Sequence, residues 1–465
     1  MMSAAERPDG AGPRTSAGAA PVVDLGALLR SGSYWALLGF AAVIGVVVSA
    51  ACWGFLELVH LIQQWVYEDL PSGLGFGTVP WWWPAPVLAV AGVVIAFAVA
   101  RLPGRGGHNP AGGLKAGPPT SPVELPGVLL AALASIGLGM VLGPEGPLIA
   151  LGTGLAFLTV RLSRRAVPEQ SRLILAAAGS FAALATVFGS PVVGAVIIIE
   201  AAGLGGPTLP LVLLPGLLAA GMGSLVFVGV GSLSGLSSSA YAISPLALPA
   251  YRNPNLGDFL WTIVLALVAA AVTFAIMELG RRIHRVVEQR IMVLTVLAAL
   301  VIATLAIAFS QITGQPTEAV LFSGQEAMNP IVSQAGTISL GTIALLVVCK
   351  GLAWGVSLGS ARGGPTFPAI FLAIAGGLLA SHLPGFSGTP AVGVLVGATV
   401  VSVLQLPLAA IVIALLVTQV GSGVAPLIIV GVVVAYIATK ALAARRPAVA
   451  AGSEPDRTGT QPNPT

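Results

Sequence analysis

The chain has 465 residues, of which 56% are hydrophobic and only 8% are charged. Soluble domains carry about 25% charged residues, so this composition excludes an ordinary water-soluble protein. The formal net charge of +4 does not indicate nucleic-acid binding, because the basic residues lie at the ends of apolar segments. The composition therefore predicts an integral membrane protein with many membrane-spanning segments.

Polar segments stand at both ends of the chain. Residues 1–30 and 444–465 contain few large apolar side chains, and we expect both tails to be disordered. The residues between them, 31–443, form the predicted membrane domain. Its approximate halves are 31–250 and 251–443.

Long apolar stretches follow one another through this domain. A helix crosses the bilayer core with about 20 apolar residues. Stretches of that length lie at 33–56, 70–100, 125–144, 173–199, 259–277 and 291–317. The interval between Arg362 and Lys440 holds no charged residue and is long enough for several crossings. The stretches are continuously apolar, which favours helices over the alternating strands of a membrane β-barrel.

Basic residues form five groups, which we expect on the cytoplasmic side because positive residues are retained there. The groups are Arg30; Arg101, Arg105 and Lys115; Arg161, Arg164, Arg165 and Arg172; Arg281, Arg282, Arg285 and Arg290; and Lys440, Arg445 and Arg446. The connections 67–80 and 231–257 are then extracellular. Both termini are predicted to be cytoplasmic, in a protein of the plasma or inner cell membrane.

Some apolar segments, such as 191–201, are too short to cross a membrane and begin with proline. They predict broken or re-entrant helices, which are tolerated only where they face protein or a water-filled cavity. Close packing of helices through small residues is the alternative explanation for many of the glycines.

A weak internal repeat accompanies these breaks. Residues 138–143 resemble residues 354–359, and each segment precedes a Gly/Pro cluster. Each is followed later by an apolar helix that begins with proline, at Pro191 and at Pro407. Interrupted helices at matching positions of two halves indicate a transport site between the halves.

Three Gly/Pro loops, 106–110, 143–147 and 363–368, stand before predicted helices. A helix N-terminus exposes unpaired N–H groups and a partial positive charge. Glycine lets the backbone approach an ion, and proline starts a helix without losing a donor. Three such ends converging near the membrane midplane would bind a small anion. A fixed lysine charge would hold the anion too tightly for conduction.

Glu145 lies in the second loop, within a stretch from Leu125 to Val160 that is otherwise uncharged. An acid at membrane depth is costly and indicates function. Its carboxylate would occupy the positive helix end that an anion uses, and would open the path when it is protonated or displaced. The alternative is a helix-capping carboxylate at the membrane surface.

From about residue 33 to 443, the sequence resembles the CLC family of chloride channels and proton-coupled chloride exchangers. The sequence of 143–147, GPEGP, is close to the family's G-[KR]-E-G-P, with Pro144 in place of the basic residue. The further matching segments are 178–183, 188–191, 322–324 and 358–368.

The resemblance implies an all-α polytopic membrane protein with two inverted repeats of membrane helices, including broken or re-entrant ones. It implies a homodimer in the lipid bilayer that transports chloride or a similar small anion, is not an enzyme, and needs no metal, cofactor or nucleic acid. Glu145 is the predicted gate. The predicted anion-binding residues are Gly107, His108, Asn109, Pro110, Gly146, Pro147, Thr366, Phe367 and Pro368.

The loops also depart from the family pattern. The family's first loop reads G-S-G-I-P, and here Gly107 replaces its anion-binding serine, His108 its second glycine and Asn109 its isoleucine. In the third loop, G-x-F-x-P in the family, Thr366 takes the place of the phenylalanine, and Phe367 follows it. No counterpart of the family's pore tyrosine is found. The resemblance therefore does not carry over the halide selectivity.

Proton coupling depends on a second, internal glutamate in the family's exchangers, and Ala201 stands at that position. A proton path would be left with Glu145 and Glu200, and Glu200 matches an acid expected to be structural. This pattern favours a chloride channel that depends on voltage or pH. The first alternative is a proton/chloride or proton/fluoride antiporter of the same family.

A polytopic membrane enzyme is the remote alternative. It would need clustered nucleophiles, bases or metal ligands, whereas the four histidines are scattered. We interpret His60, His284 and His382 as ordinary helix or loop residues. Lys350 is expected to neutralise a carboxylate or to cap a helix end.

Overall fold

The computed structural model describes five parts of the chain: residue 26 and residues 30–113, 119–203, 209–234 and 243–445. Most of both predicted tails lies outside the described residues, as do Lys115 of the second basic group and part of the connection 231–257. The regular structure of the described residues is helical, apart from one isolated β-bridge.

The first half of the chain contains helices α1 to α7. α1 spans Gly32–Gln64 and continues through a π turn to Gly73. Ser31 caps its start by accepting a hydrogen bond from the Tyr34 N–H at 3.3 Å. The other helices are α2 (Pro84–Arg101), α3 (Leu125–Gly137), α4 (Glu145–Leu162), α5 (Glu169–Phe188), α6 (Pro191–Ala201) and α7 (Leu209–Ser234).

The second half contains helices α8 to α15. Asn255 and Asp258 form a capping box at the start of α8, in which each side chain accepts a backbone N–H of the other residue. The helices are α8 (Leu256–Val287), α9 (Ile291–Thr313), α10 (Met328–Ser333), α11 (Leu340–Ser360), α12 (Thr366–Ala380), α13 (Gly388–Leu404), α14 (Pro407–Thr418) and α15 (Ala425–Ala444).

Within the described residues, eight helical segments are long and apolar enough to cross a bilayer. Helices α3, α6, α12, α13 and α14 are also apolar but have only 10–17 residues. These short helices confirm the prediction of interrupted helices. The loops before α4 and α12 face protein, because Gly143, Gly363 and Gly364 are buried.

The stretch 173–199 is not one membrane span. α5 ends at Phe188, and Gly189 turns the chain in the left-handed conformation with φ 65°. Ser190 then caps α6 by accepting the Val193 N–H at 3.4 Å, and Pro191 is the first residue of α6. Hydropathy alone predicts one continuous helix here, whereas the residues that cap α5 and α6 divide it into two.

The helices of the two halves follow each other in the same order. Helices α4 to α7 correspond to α12 to α15, with Pro191 and Pro407 starting the equivalent short helices α6 and α14. This order agrees with the predicted repeat. The register of the letter similarity between 138–143 and 354–359 is wrong, because it aligns Gly143 with Gly359.

An antiparallel β-bridge joins the two halves and pairs Gly143 with Gly364. The Gly143 N–H donates to the Gly364 carbonyl at 2.8 Å, and the Gly364 N–H donates to the Gly143 carbonyl at 2.6 Å. Each glycine lies two residues before its helix, α4 or α12. The bridge therefore relates the two loops by a local two-fold axis.

Two hydrogen bonds between the halves follow the same two-fold relation. The Val141 N–H donates to Ser357 Oγ at 3.0 Å, and the Arg362 N–H donates to Ser135 Oγ at 3.1 Å. Val141 and Arg362 each lie two residues before a bridge glycine. Both serine hydroxyls donate to the carbonyl four residues earlier, at 2.7 Å for Ser135 and 2.8 Å for Ser357. The frame around the two loops is thus built from equivalent contacts.

Small residues allow some helices to approach closely. α4 and α5 meet at Gly152 and Gly179, where a Cβ on either residue would overlap the backbone carbonyl of the other. Replacing either glycine would force the two helices apart. This confirms that close packing explains part of the glycine content.

Candidate functional site

The site lies where α4 and α12 begin. Glu145 is the first residue of α4 and Thr366 is the first residue of α12. Both residues are 0% exposed. Because the Gly143–Gly364 bridge joins the preceding loops, it brings the two helix N-termini together from distant parts of the sequence.

The Glu145 carboxylate lies on the N-terminus of α12, since its Oε1 accepts a hydrogen bond from the Thr366 N–H. A helix N-terminus carries unpaired donors and a partial positive charge, and it therefore stabilises an anionic group. The acid of one half thus occupies the positive helix end of the other half.

The space around this carboxylate depends on two glycines. A Cβ on Gly143 would overlap Oε2 of Glu145, and a Cβ on Gly364 would overlap its carboxyl carbon. The two bridge residues therefore form a cradle that only glycine leaves open. Gly146 also approaches the Gly363 carbonyl, at 3.1 Å from an ideal Cβ.

Two polar atoms at this site have unused hydrogen-bonding capacity. Within the described residues, Oε2 of Glu145 and Oγ1 of Thr366 are buried and have no hydrogen-bond partner. Buried polar atoms are hydrogen-bonded in most proteins, so an unsatisfied pair in one place requires an explanation. The threonine hydroxyl can donate to an anion, and Oε2 can carry a proton.

An apolar wall closes one side of the site. The Phe188 ring, at the end of α5, stacks on the Phe367 ring with centroids 5.6 Å apart and an interplanar angle of 22°. Both rings are almost fully buried, as is Pro368. With water excluded, the charges and dipoles at the helix ends act more strongly than they would in solvent.

The first Gly/Pro loop differs from the other two. In the described residues it opens only a three-residue 3₁₀ turn, Pro110–Gly112, and α3 begins later at Leu125. Asn109 Oδ1 accepts the Ala111 N–H at 3.0 Å, and His108 Nε2 lies 3.1 Å from the Gly113 carbonyl. These contacts shape the loop itself.

The structure brings only some of the predicted site residues together. The side-chain hydrogen bond of Glu145 goes to Thr366 in the third loop, with Gly146 and Phe367 beside it. Gly107 to Pro110 contribute no hydrogen bond to that carboxylate among the described residues. The first loop is instead tied to the third through Arg362, whose Nε–H donates to the Arg105 carbonyl at 3.3 Å.

A cavity of about 430 Å³ leads to Pro144, the residue before Glu145. Three acids line it, Glu68, Glu318 and Glu326, and His60 Nδ1 lies 3.5 Å from Glu326 Oε1. Sequence reasoning missed this acidic cavity because Glu68 lies in a different connection from Glu318 and Glu326. Glu68 belongs to a connection that the basic-residue pattern predicts to be extracellular.

Lys350 has a structural role. Lys350 Nζ donates to the carbonyls of Ala319, Val320 and Leu321 at 3.1, 3.1 and 2.8 Å, so it caps the end of a helical turn. Capping was one of the two roles expected for this lysine.

Glu200 lies at the C-terminal end of α6 and binds the start of α14. Its Oε1 accepts the Leu408 N–H at 2.9 Å, and its Oε2 accepts the Ala409 N–H at 2.8 Å. Both oxygens are thus engaged with a helix N-terminus. This contact explains why an acid is present at Glu200, whether or not protons pass it.

Known proteins share this sequence pattern and this arrangement of helices. The family model described as "Voltage gated chloride channel" matches residues 108–440. The chain belongs to the CLC family. CLC proteins transport anions across membranes, so this chain is an anion transporter and not an enzyme.

Relatives and solved structures agree with this membership. YfeO of Escherichia coli (strain K12 / DH10B), which is named as an ion-transport protein, is 29% identical over 351 residues, covering 74% of this chain and 79% of YfeO. YfeO of Shigella boydii serotype 4 (strain Sb227) is likewise 29% identical over 351 residues.

The CLC fold itself is shared with solved structures. A slow cyanobacterial Cl⁻/H⁺ antiporter superposes with a TM-score of 0.72 and 19% identity, covering 88% of this chain and 95% of the antiporter. A CLC-type fluoride/proton antiporter gives a TM-score of 0.67 with 19% identity, over 89% of this chain and 97% of the antiporter. At these identities the likeness establishes the CLC fold, which implies the predicted inverted repeats.

Proposed function

We propose that this CLC protein conducts chloride or a similar small anion, and that Glu145 gates the path. The supporting observation is the Glu145 carboxylate on the N-terminus of α12, where an anion would bind. While the carboxylate is charged and in place, it excludes the anion. Protonation or displacement of the side chain frees the helix end.

The residues around the gate supply the proposed binding site. The Thr366 N–H donates to the Glu145 carboxylate, and the Thr366 hydroxyl, which has no partner among the described residues, can donate to an anion. Together they would replace the serine and tyrosine hydroxyls of the family pattern. The Gly143–Gly364 cradle leaves room for the ion. Backbone N–H groups of Gly146, Phe367 and the loop from Gly107 to Asn109 complete the proposed path, and Pro110, Pro147 and Pro368 line it without donating.

The proposed mechanism is uncoupled conduction rather than exchange of anions for protons. Alanine, which cannot carry a proton, stands at position 201, and both oxygens of Glu200 bind the start of α14. Proton/chloride or proton/fluoride antiport through Glu145 and Glu200 is the competing mechanism within the same family.

The test is anion efflux from liposomes that contain the purified protein. We expect efflux of chloride, and comparison with nitrate and fluoride under matched gradients gives the selectivity. Absence of flux of all three anions at every pH and voltage would overturn the proposal. In the same vesicles, a chloride gradient that drives proton uptake would replace the channel by an antiporter.

Three further properties are proposed on the family resemblance and the basic-residue pattern. The protein is a homodimer of the plasma or inner membrane, its two termini are cytoplasmic, and its opening depends on voltage or pH. Light scattering of the detergent complex measures the oligomeric state. Protease protection of tags at each end measures the orientation.

A further inference from the structure

Arg362 combines deep burial with the lack of an ion-pair partner among the described residues. Its side chain is part of a residue that is only 8% exposed, and it lies four residues before the start of α12. Nε donates to the Arg105 carbonyl at 3.3 Å and Nη1 donates to the Ala361 carbonyl at 3.1 Å. Among the described residues, neither Arg362 nor Arg105 has a carboxylate within 4.0 Å.

A buried charge is costly unless an opposite charge or several donors and acceptors compensate it. Carbonyls account for two of the five N–H donors of this guanidinium. The backbone hydrogen bond of Arg362 to Ser135 does not require the charge. Val141, the two-fold equivalent of Arg362, makes the equivalent backbone hydrogen bond with an apolar side chain.

Both arginines line a small cavity between the ends of α2, α8 and α11, with Val99, His284, Glu288 and Gly359. Its volume is about 20 Å³. A volume above about 10–15 Å³ holds one water molecule, so the cavity has room for a single ion of about that size. Glu288 pairs with His284 at 3.3 Å across the same wall.

We propose that a single small anion binds in this cavity between the Arg362 guanidinium and the Arg105 side chain. The inference rests on the proposed anion transport, and it adds a second site, distinct from the helix ends at Glu145. Fixed positive charge at the end of a pathway raises the local anion concentration. The proposed site at the helix ends, which has no fixed cation, can then release the ion.

The first test uses two variants that remove charge in different ways. Arg362→Gln keeps a hydrogen-bond donor, and Arg105→Asn keeps the backbone carbonyl that Arg362 binds and tolerates the left-handed φ of 47° at that position. Arg172→Gln, which removes an exposed arginine paired with Glu169, is the matched control.

Flux is measured while the anion is varied on one side of the membrane at a time. On the side of the arginine cavity, we expect the half-saturating anion concentration to rise at least about fivefold in both variants, as for loss of a unit charge within about 5 Å of the ion. On the other side of the membrane the half-saturating concentration should stay unchanged. Arg362→Lys should retain most of the wild-type anion affinity.

A purely structural role for Arg362 would instead lower the thermal stability and the maximal flux without moving half-saturation on either side. That result would overturn the inference. So would a half-saturating anion concentration in Arg105→Asn that equals that of the wild type. A wild-type protein without any anion flux would overturn the proposed function instead. Calorimetric titration of the purified protein with sodium chloride and sodium fluoride would then still test anion binding in the cavity. The wild type should release or absorb heat on binding the anion, and Arg105→Asn should abolish that heat.

Discussion

The two halves of the protein contribute different chemistry to equivalent places. The first half supplies an acid twice, and the second half supplies a helix N-terminus twice: Glu145 binds the start of α12, and Glu200 binds the start of α14. Both contacts use the same attraction between a carboxylate and a helix end. They differ in how completely the acid is satisfied.

Glu200 is half-buried and both of its oxygens accept backbone N–H groups. Glu145 is fully buried, one of its oxygens has no partner among the described residues, and two glycines shape the space around it. A satisfied carboxylate stabilises a helix start. An incompletely satisfied one with a shaped space around it supports the proposal that Glu145 is the gate.

The largest effect is expected for Glu145→Gln, which resembles the protonated acid. Above the pKa of a single gating acid, its protonated fraction falls about tenfold per pH unit, and wild-type flux should fall with it. We expect the variant to conduct at all pH values with no such fall. The measurement is chloride efflux from liposomes between pH 5 and pH 9.

Glu200→Gln is the matched control for that experiment and should keep the wild-type pH profile. A Glu145→Gln protein whose flux still falls with rising pH would show that another group is the gate.

The next effect is expected for Thr366→Val, at the two-fold equivalent of Glu145. A hydrogen bond to a charged group contributes about 1.5–3 kcal/mol, so anion affinity should fall about tenfold or more. Half-saturation of chloride flux measures the change. Thr418→Val is the control, because that hydroxyl donates to the Ala414 carbonyl of its own helix at 2.6 Å. Equal effects of the two substitutions would remove the Thr366 hydroxyl from the proposed site.

Gly364→Ala tests whether the cradle holds the carboxylate in place. Its Cβ would overlap the Glu145 carboxyl group, and overpacking typically costs about 1–3 kcal/mol. We expect a lower thermal unfolding temperature and increased flux at high pH, because the carboxylate is displaced. Gly221→Ala, where a Cβ meets nothing within 4 Å, is the control. In a Glu145→Ala background, Gly364→Ala should cause little further loss of stability, because the carboxyl group that its Cβ would overlap is gone. A loss that persists would show that the cradle does not act through Glu145.

The smallest effect is expected for the stability of Glu200→Gln. Loss of a charged helix cap typically costs about 1 kcal/mol, so thermal unfolding in detergent should occur at a slightly lower temperature. The ratio of protons to chloride moved should not change. A changed ratio would make Glu200 part of a proton path and would favour the antiporter.

Much of the architecture could be predicted from local signals. Proline and serine at 190–191 and proline at 407 mark helix starts, and the predicted bounds of the short helix 191–201 are those of α6. Glu145 was identifiable because a lone acid in an apolar stretch is costly. The same kind of pattern was misleading for the first loop. Its Gly/Pro sequence predicts a helix start, but among the described residues it forms only a 3₁₀ turn.

By itself, the sequence determined that this protein lies in a membrane, where several of its helices begin and which acid stands alone in an apolar stretch. These properties follow from hydropathy, caps and turns within short segments. Only the tertiary structure decided that Glu145 meets Thr366, 221 residues away, that Gly143 pairs with Gly364, and that Arg362 faces Arg105. Such contacts depend on how the two halves pack, and no local pattern records that packing.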